Sequence, residues 1–518
     1  MIVDLNYLVF LFSFVIRTNS LNILILFPTA ANSHFLVFEP MFQELAKRGH
    51  NLTILTSRHR LYTHENKTLL YSIKDEKTYM VKPILPMDFF KGRRTEMYKE
   101  QFLLASITES TCERFLSSEY VKNFLKESNS YDVVIAEVFG SHCYFGLAKR
   151  YNAPVIGLSS TDLLPWMYQW YGSPENPSYI PVLFMDYSDK MNFFQRVENT
   201  LMLIFSKLVH LYYIAPTGNE YSKKYLGVDL FEGGDILYNM SLLLTNRHYT
   251  YQTPKPLSPN IIEVGGIHLG KPKKLPESLD KLVSGAPSGV ILISMGSTLK
   301  GSTFPEEQRK MFLKVFSQLK YTVIWKWEND TMEGLPSNVK THKWLPQFDL
   351  LCHPNLKLFI THGGLLGGQE AVYCGVPMLI LPQFADQHLN AAALEKTGAS
   401  LHIKLRTATE KSLTEAINKV LTPQFAQNAK LLSERFKDRP MSPMDTAIYW
   451  IEYVAKYKGA PFMRTAVTDM PFYQYLLLDV IGFLILLAAI FIYVFYFCIK
   501  RIIRLVIKTS PQSKIKKH

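Results

Sequence analysis

Cysteine is scarce in this chain: five occur in 518 residues (Cys112, Cys143, Cys352, Cys374 and Cys498), none of them in a C-x-x-C pair. Such spacing argues against a zinc centre or a dense disulfide framework. Cys498 falls in an apolar run, which leaves four thiols to pair or to stay reduced. Charge is also sparse, at 19% of residues against 47% hydrophobic, which excludes a disordered chain and supplies material for sizeable cores. Acidic groups are absent from residues 500–518, where Lys500, Arg501, Arg504, Lys508, Lys514, Lys516 and Lys517 stand unopposed. The net charge of +13 is therefore concentrated in a tail, and the body has no basic run of the kind that binds nucleic acid. Charge is missing altogether from residues 480–499, a stretch long enough for a helix to cross a hydrocarbon layer.

What is present divides into segments. A length of 518 residues predicts two or three folding units. Residues 5–16 (LNYLVFLFSFVI) form an apolar core followed by Thr18-Asn19-Ser20, and residues 1–20 are predicted to be a signal peptide, although the leading residues carry Asp4 and no cation. Asp479 and Lys500 bracket the run at 480–499, read as a transmembrane helix, with 456–479 as a juxtamembrane segment. By the positive-inside rule the tail at 500–518 is cytoplasmic and the body lumenal. Lys514 and Lys516 in the terminal K-I-K-K-H resemble a dilysine retrieval signal, which favours the endoplasmic reticulum membrane over the alternative of a tail attracted to anionic lipid. Sequons at Asn51, Asn66, Asn239 and Asn329 fit a lumenal body; Asn51 lies in a predicted strand.

Within the body, Asn22-Ile23-Leu24-Ile25-Leu26-Phe27 is a continuous apolar strand of the type buried in parallel sheets. A helix with Phe35, Phe38, Phe42 and Leu45 at helical spacing follows, ended by Gly49, and 52–55 is the next strand. Further strands are predicted at 133–135 and 155–158. Residues 162–225, rich in aromatics and proline, read as a less regular insertion. Prolines cluster at 252–274, after which strand–helix alternation resumes with strands at 290–293, 322–325, 357–360 and 378–381. This predicts two tandem Rossmann-like α/β domains, 21–260 and 261–455, with ligands beyond the carboxyl ends of the strands.

The chemistry is concentrated at 344–387, which reads WLPQ, then THGGLLGGQE, then GVPMLILPQFADQ. Small residues after a buried strand let the backbone approach a phosphate, and the following helix start favours an anion. His362 can donate to a diphosphate, Glu370 can accept from ribose hydroxyls, and Trp344 offers a flat face for a base. Any one of these features alone is ordinary. The whole string resembles the signature of the UDP-glycosyltransferase family, and the resemblance extends to Asp438-Arg439-Pro440, Tyr449-Trp450-Ile451-Glu452 and the C-terminal anchor, with the flavour of insect members.

That resemblance implies a GT-B fold and an inverting transfer of a hexose, glucose first among them, from a UDP-sugar to a small lipophilic acceptor, as in detoxification or hormone inactivation. It implies that Trp344 stacks on uracil and Gln347 contacts the ribose region. His362, Gly364 and Gly367, with Ser297, would hold the diphosphate; Glu370 would bind ribose; Asp386 and Gln387 would bind the sugar. Many insect relatives have small hydroxyl residues where Gly367 and Gly368 stand, which leaves only backbone contacts there. His34, beyond the first strand, would be the base. Its orienting carboxylate is usually an aspartate, and here Glu137 occupies that place, with Asp132 a weaker substitute and His142 nearby. Trp166, Tyr168, Trp170 and Tyr171 suit either an apolar acceptor pocket or core packing. No D-x-D motif occurs, so neither a metal nor another cofactor is expected, with the UDP-sugar as co-substrate. Homo-oligomerisation stays open, and the competing reading is a catalytically silent binder of UDP-sugars or lipophiles.

Overall fold

The computed structural model describes residues 20–29, 31–56, 68–72, 94–140, 142–297 and 299–509. The predicted signal peptide, the sequon at Asn66 and the dilysine-like terminus lie outside them, apart from Ser20. The chain separates into two units, Met1–Arg464 and Thr465–His518.

The larger unit holds two parallel sheets. The first contains β1 (Asn22–Phe27), β2 (Asn51–Thr56), β3 (Thr68–Ser72), β4 (Val133–Glu137), β5 (Val155–Ser159), β6 (Leu242–Thr245) and β7 (Ile261–Glu263), in the order 3-2-1-4-5-6-7. The second contains β8 (Val290–Ser294), β9 (Thr322–Lys326), β10 (Val339–His342), β11 (Leu356–Thr361), β12 (Met378–Ile380) and β13 (Ser400–His402), in the order 10-9-8-11-12-13. Each sheet thus reverses direction beside its first strand, between β1 and β4 and between β8 and β11. The loops that diverge there open a crevice beyond the strand ends.

The local reasons are visible in the sequence. β1, β4 and β8 are apolar runs whose residues are buried on both faces, the requirement for the centre of a parallel sheet covered by helices on each side. The helix α1 (Asn32–Lys47) buries Phe35, Phe38, Phe42 and Leu45, and Gly49 at φ 92 turns the chain back so that Asn22 pairs with Asn51 in register. Other helices that matter below are α2 (Arg94–Leu116), α3 (Phe193–Val209), α4 (Leu365–Cys374), α5 (Asp386–Lys396) and α6 (Pro443–Lys456). In the smaller unit, α7 (Leu478–Thr509) contains the uncharged run and extends beyond the predicted 480–499 at both ends.

Three features differ from the sequence reading. The expected domain division at 260/261 meets a sheet that continues, because Ile261–Glu263 adds a seventh strand beside β6. The end of the expected second domain, α6, packs Ile448, Ile451 and Val454 into the core of the first sheet with Ile23, Ile135 and Phe38, so the chain crosses back. The stretch at 162–225 is more regular than its composition suggests. It contains α3, a π-helical turn at His210–Ile214 and a further helix at Ala215–Leu226. The four body cysteines pair as Cys112–Cys143 and Cys352–Cys374, one bridge associated with each sheet.

Candidate active site

At the switch point of the first sheet, β1 leads to α1 and β4 ends at Glu137. His34, in the first turn of α1, places Nδ1 2.8 Å from Glu137 Oε1. The carboxylate is fully buried, whereas the imidazole keeps 15% of its surface open. The edge of the His34 ring meets Phe139 at 4.4 Å between centroids, which fixes its tilt. The extra methylene of glutamate thus leaves the contact with His34 intact. Asp132, at the opposite end of β4, accepts from the backbone N–H of Asn22 and takes no part. His142 is also elsewhere: its Nε2 lies 2.8 Å from Nε2 of His210 in the core, with Trp166 and Trp170 packed on the same pair. Trp166, Trp170 and Tyr171 are core residues, and only Tyr168 of that aromatic group reaches a cavity.

At the second switch point, β8 runs into Gly296 and the exposed Ser297, and β11 into His362. The ring of His362 occupies the space between two glycines. A Cβ on Gly296 would stand 2.6 Å from its Cε1, and one on Gly364 would stand 2.5 Å from its Nε2. Neither position tolerates a side chain, and Gly296 also has φ 77. Burial, with Lys326 nearby, depresses the His362 pKa to about 4, so the ring is neutral and can donate one N–H. Gly364 then caps α4 with no side-chain hydrogen bond, leaving backbone N–H groups directed at the crevice.

One turn into α4, burial pushes the Glu370 carboxyl up to about 7, and Gln347 Nε2 donates to its Oε2 at 2.6 Å. Gln347 therefore positions Glu370, and a Cβ on Gly367 would come within 3.2 Å of the same amide. Trp344, 73% exposed, presents a free indole face. Asp386 opens α5; burial raises its pKa, while a hydrogen bond from Asn390 at 2.9 Å and the field of His34 lower it. That field joins the two sheets' sites, since His34 belongs to the first and Asp386 to the second. Gln387 turns its side-chain oxygen back to the N–H groups of Gln383 and Phe384, shaping the loop.

Two residues escaped the sequence reading. Lys326, the last residue of β9, donates to Gly296 O beside His362. Its place at the carboxyl end of a strand was the available signal. Glu100, on α2, accepts from the N–H of Ala385 at 3.0 Å, and burial pushes its carboxyl up to about 8. Ala385 has φ 53, so this bond holds a strained residue next to Asp386. No motif surrounds Glu100, and nothing in its spacing announces this role.

A profile described as UDP-glucoronosyl and UDP-glucosyl transferase matches residues 22–513 of the chain. The chain belongs to the UDP-glycosyltransferase family. Among its relatives, "UDP-glycosyltransferase UGT5" of Dactylopius coccus is 39% identical over 500 residues, 95% of this chain and 94% of that one. "UDP-glucosyltransferase 2" of the same organism is 36% identical over 516 residues, 98% of each. Among solved structures, the spinosyn forosaminyltransferase SpnP superposes with a TM-score of 0.55 at 19% identity, covering 85% of this chain and all of that one. The fold is thus GT-B, and the enzyme transfers a sugar from a UDP-sugar to an acceptor. As in the family, the UDP-sugar is the co-substrate; among the described residues no group of three or more His, Cys, Asp or Glu could hold a metal ion.

Beside the crevice of this glycosyltransferase lies a narrow hollow, partly open to solvent, lined by Tyr168, Ile180, Leu183, Leu203 and Lys255 of the first half and Leu389 of the second. Burial lowers the Lys255 pKa to about 8, and its Nζ donates to Asp162 and to the Tyr168 hydroxyl at 2.8 and 2.7 Å.

Proposed function

We propose that this enzyme moves glucose from UDP-glucose onto a hydroxyl of a small lipophilic acceptor, inverting the anomeric centre, with His34 as the base. The observation that carries the reading is the 2.8 Å contact between a partly open imidazole and a fully buried carboxylate. With Nδ1–H donating to Glu137, Nε2 is the free acceptor. It takes the acceptor's hydroxyl proton as that oxygen bonds to the anomeric carbon, and the bond from that carbon to the diphosphate oxygen breaks with its electron pair leaving on UDP. Negative charge growing on the leaving group is met by the neutral His362 N–H and the backbone N–H groups at the start of α4. Trp344 stacks on uracil, Glu370, positioned by Gln347, binds ribose, and Asp386 with Gln387 binds the sugar, assisted at the diphosphate by Ser297, Gly364 and Gly367. The acceptor occupies the hollow lined by Leu183, Leu203 and Tyr168, whose walls are mostly apolar. The name of the glucosyltransferase relative supports glucose as the donor sugar.

The body is assigned to the lumen of the endoplasmic reticulum and α7 to a single span, with the basic tail cytoplasmic. Two disulfides favour an oxidising compartment. Detoxification or hormone inactivation follows as the role. The test is acceptor-dependent UDP release from UDP-glucose, UDP-glucuronic acid and UDP-N-acetylglucosamine over phenolic and steroid acceptors, with His34→Ala as the control. Turnover with UDP-glucose that disappears in the variant supports the whole reading. Donor binding without turnover in both proteins would favour a silent binder instead.

A further inference from the structure

The turn that leads into α5 draws on both halves of the molecule. Between β12 and α5 the backbone bends at Gln383, Phe384 and Ala385. The N–H groups of Gln383 and Phe384 are met locally, by the side-chain oxygen of Gln387 at 2.9 and 3.3 Å. The N–H of Ala385 has its partner in the first half, where Glu100 Oε2 on α2 accepts from it at 3.0 Å. Ala385 stands at φ 53 and ψ −134, a conformation that suits glycine and strains a residue with a Cβ. It is also the N-cap of α5 and supplies no side-chain cap, so its backbone sets the direction in which Asp386 enters the helix. Beyond that point Asn390 steadies Asp386 from within α5, donating to it at 2.9 Å and to Gly363 O at 3.1 Å. A second polar contact from the first half, Asp189 with Lys396 at 2.5 Å, grips the far end of α5. That lysine is 46% exposed, and such a surface pair holds little. Glu100 is only 7% exposed, so its bond is the stronger constraint. Burial pushes the Glu100 carboxyl up to about 8, with the charges of Glu96 and Asp386 acting in the same direction. At neutral pH the group is an uncharged acid that accepts through one oxygen, as an amide would.

We propose that Glu100 is a positioning residue for the donor sugar: carried by the first half, it fixes the Ala385 turn of the second and thereby places Asp386 against the sugar of the UDP-sugar. Glu100 touches neither substrate and acts through the Ala385 backbone. The sugar subsite is then complete only when the two halves are in contact. The uridine and diphosphate subsites differ, because the Gln347–Glu370 pair and the fit of His362 between Gly296 and Gly364 are built within the second half. UDP alone therefore binds without help from Glu100, and the sugar is what makes the enzyme sensitive to it. A misplaced Asp386 costs transfer and sugar selectivity together, since both depend on where the ring is held. This inference rests on the reading of Asp386 as a ligand of the sugar.

The test uses the full chain and compares variants that differ only in this contact. Glu100→Met keeps the length of the side chain and removes the acceptor, whereas Glu100→Gln keeps an oxygen for the Ala385 N–H. In Glu100→Met, kcat/KM for UDP-glucose is expected to fall about tenfold to a hundredfold. Its preference over the epimer UDP-galactose should shrink towards one, while the Kd for UDP, by calorimetry, holds. Glu100→Gln should stay near wild type in all three measurements. Ala385→Gly, which relieves the strain, should recover kcat/KM several-fold when added to Glu100→Met; no recovery would overturn the part given to strain. Hydrogen exchange over residues 383–387 should be faster in Glu100→Met than in Glu100→Gln, and equal exchange would overturn the contact. Equal loss of UDP and UDP-glucose affinity, or a loss in Glu100→Gln as deep as in Glu100→Met, would overturn the proposal. Asp386→Asn separates this inference from the reading beneath it. If Asp386→Asn shifts the sugar preference and Glu100→Met does not, the role of Glu100 falls and that of Asp386 stands. If neither shifts it, the reading of Asp386 falls and this inference falls with it. Calorimetry with the two UDP-sugars needs no acceptor, so a protein without turnover that still shows the Glu100 effect would defeat the transferase reading alone.

Discussion

Replacing Glu137 by glutamine keeps its shape and removes its charge. In the proposed mechanism His34 becomes an imidazolium in the transition state against a buried carboxylate, with Nδ1 and Oε1 2.8 Å apart. Two unit charges centred about 4 Å apart at an effective dielectric of about 20 attract by about 4 kcal/mol. A neutral amide that still accepts the hydrogen bond recovers about 1 kcal/mol of that. The remaining loss, about 3 kcal/mol, corresponds to a fall in kcat of about a hundredfold. Donor KM should hold, because Glu137 lies within the first sheet and the donor-binding segments surround the second. Folded stability should hold or rise, since Glu137 Oε2 is buried with no hydrogen-bond partner among the described residues and the variant removes an incompletely paired charge. The assay is steady-state UDP release with kcat and donor KM separated, alongside thermal unfolding. Glu137→Asp, one methylene shorter, should lose activity as well by opening the contact. A glutamine variant with wild-type kcat, or one that loses only donor KM, would refute the role given to this pair.

Glu370 makes a prediction in pH. Burial raises its pKa to about 7, so the carboxylate proposed to accept from ribose is present above that pH, and UDP affinity should weaken as pH falls through 7. For stability the sign is opposite: the contribution is full below the unfolded value of 4.5 and is lost as pH rises through about 7. Glu370→Gln should therefore be more stable than wild type at pH 8, by about 3 kcal/mol in chemical denaturation, yet bind UDP poorly. Gly364→Ala places a Cβ 2.5 Å from His362 Nε2 and should displace the ring, so titration calorimetry should show UDP binding lost while circular dichroism stays native. Trp344→Ala removes an exposed ring and should leave the unfolding midpoint unchanged while weakening UDP binding by about 1–3 kcal/mol, the worth of stacking one base.

Much of this protein was legible before any tertiary contact was known. Apolar runs ending in Phe27, Ile293 and Ile360 announced parallel strands, because a strand covered on both faces has few polar positions to spare. Within the string from Trp344 to Gln387, His362, Gly364 and Glu370 share one strand–helix turn and converge by local geometry, whereas the contact of Gln347 with Glu370 across 23 residues is tertiary. The uncharged run at 480–499 announced α7 for the same reason: its chemistry is written in consecutive residues.

Whatever depended on distant parts of the chain meeting required the fold. Sequence could pair His34 with Glu137 only by resemblance. Their contact across 103 residues follows from β1 and β4 being neighbours at a switch point. Glu100 touches Ala385 across 285 residues, and no local pattern could reveal it. The cysteine pairing and the return of α6 to the first sheet are of the same kind. Helix α3, with Phe194, Val197, Leu201, Ile204 and Leu208 exposed along one side, is the intermediate case. Its three–four spacing was present in the sequence, but aromatic content hid it, and spacing alone does not say which face is buried. Packing of Asn199 and Ser206 inward, against the hydropathy of their neighbours, decided which side of that helix is left exposed.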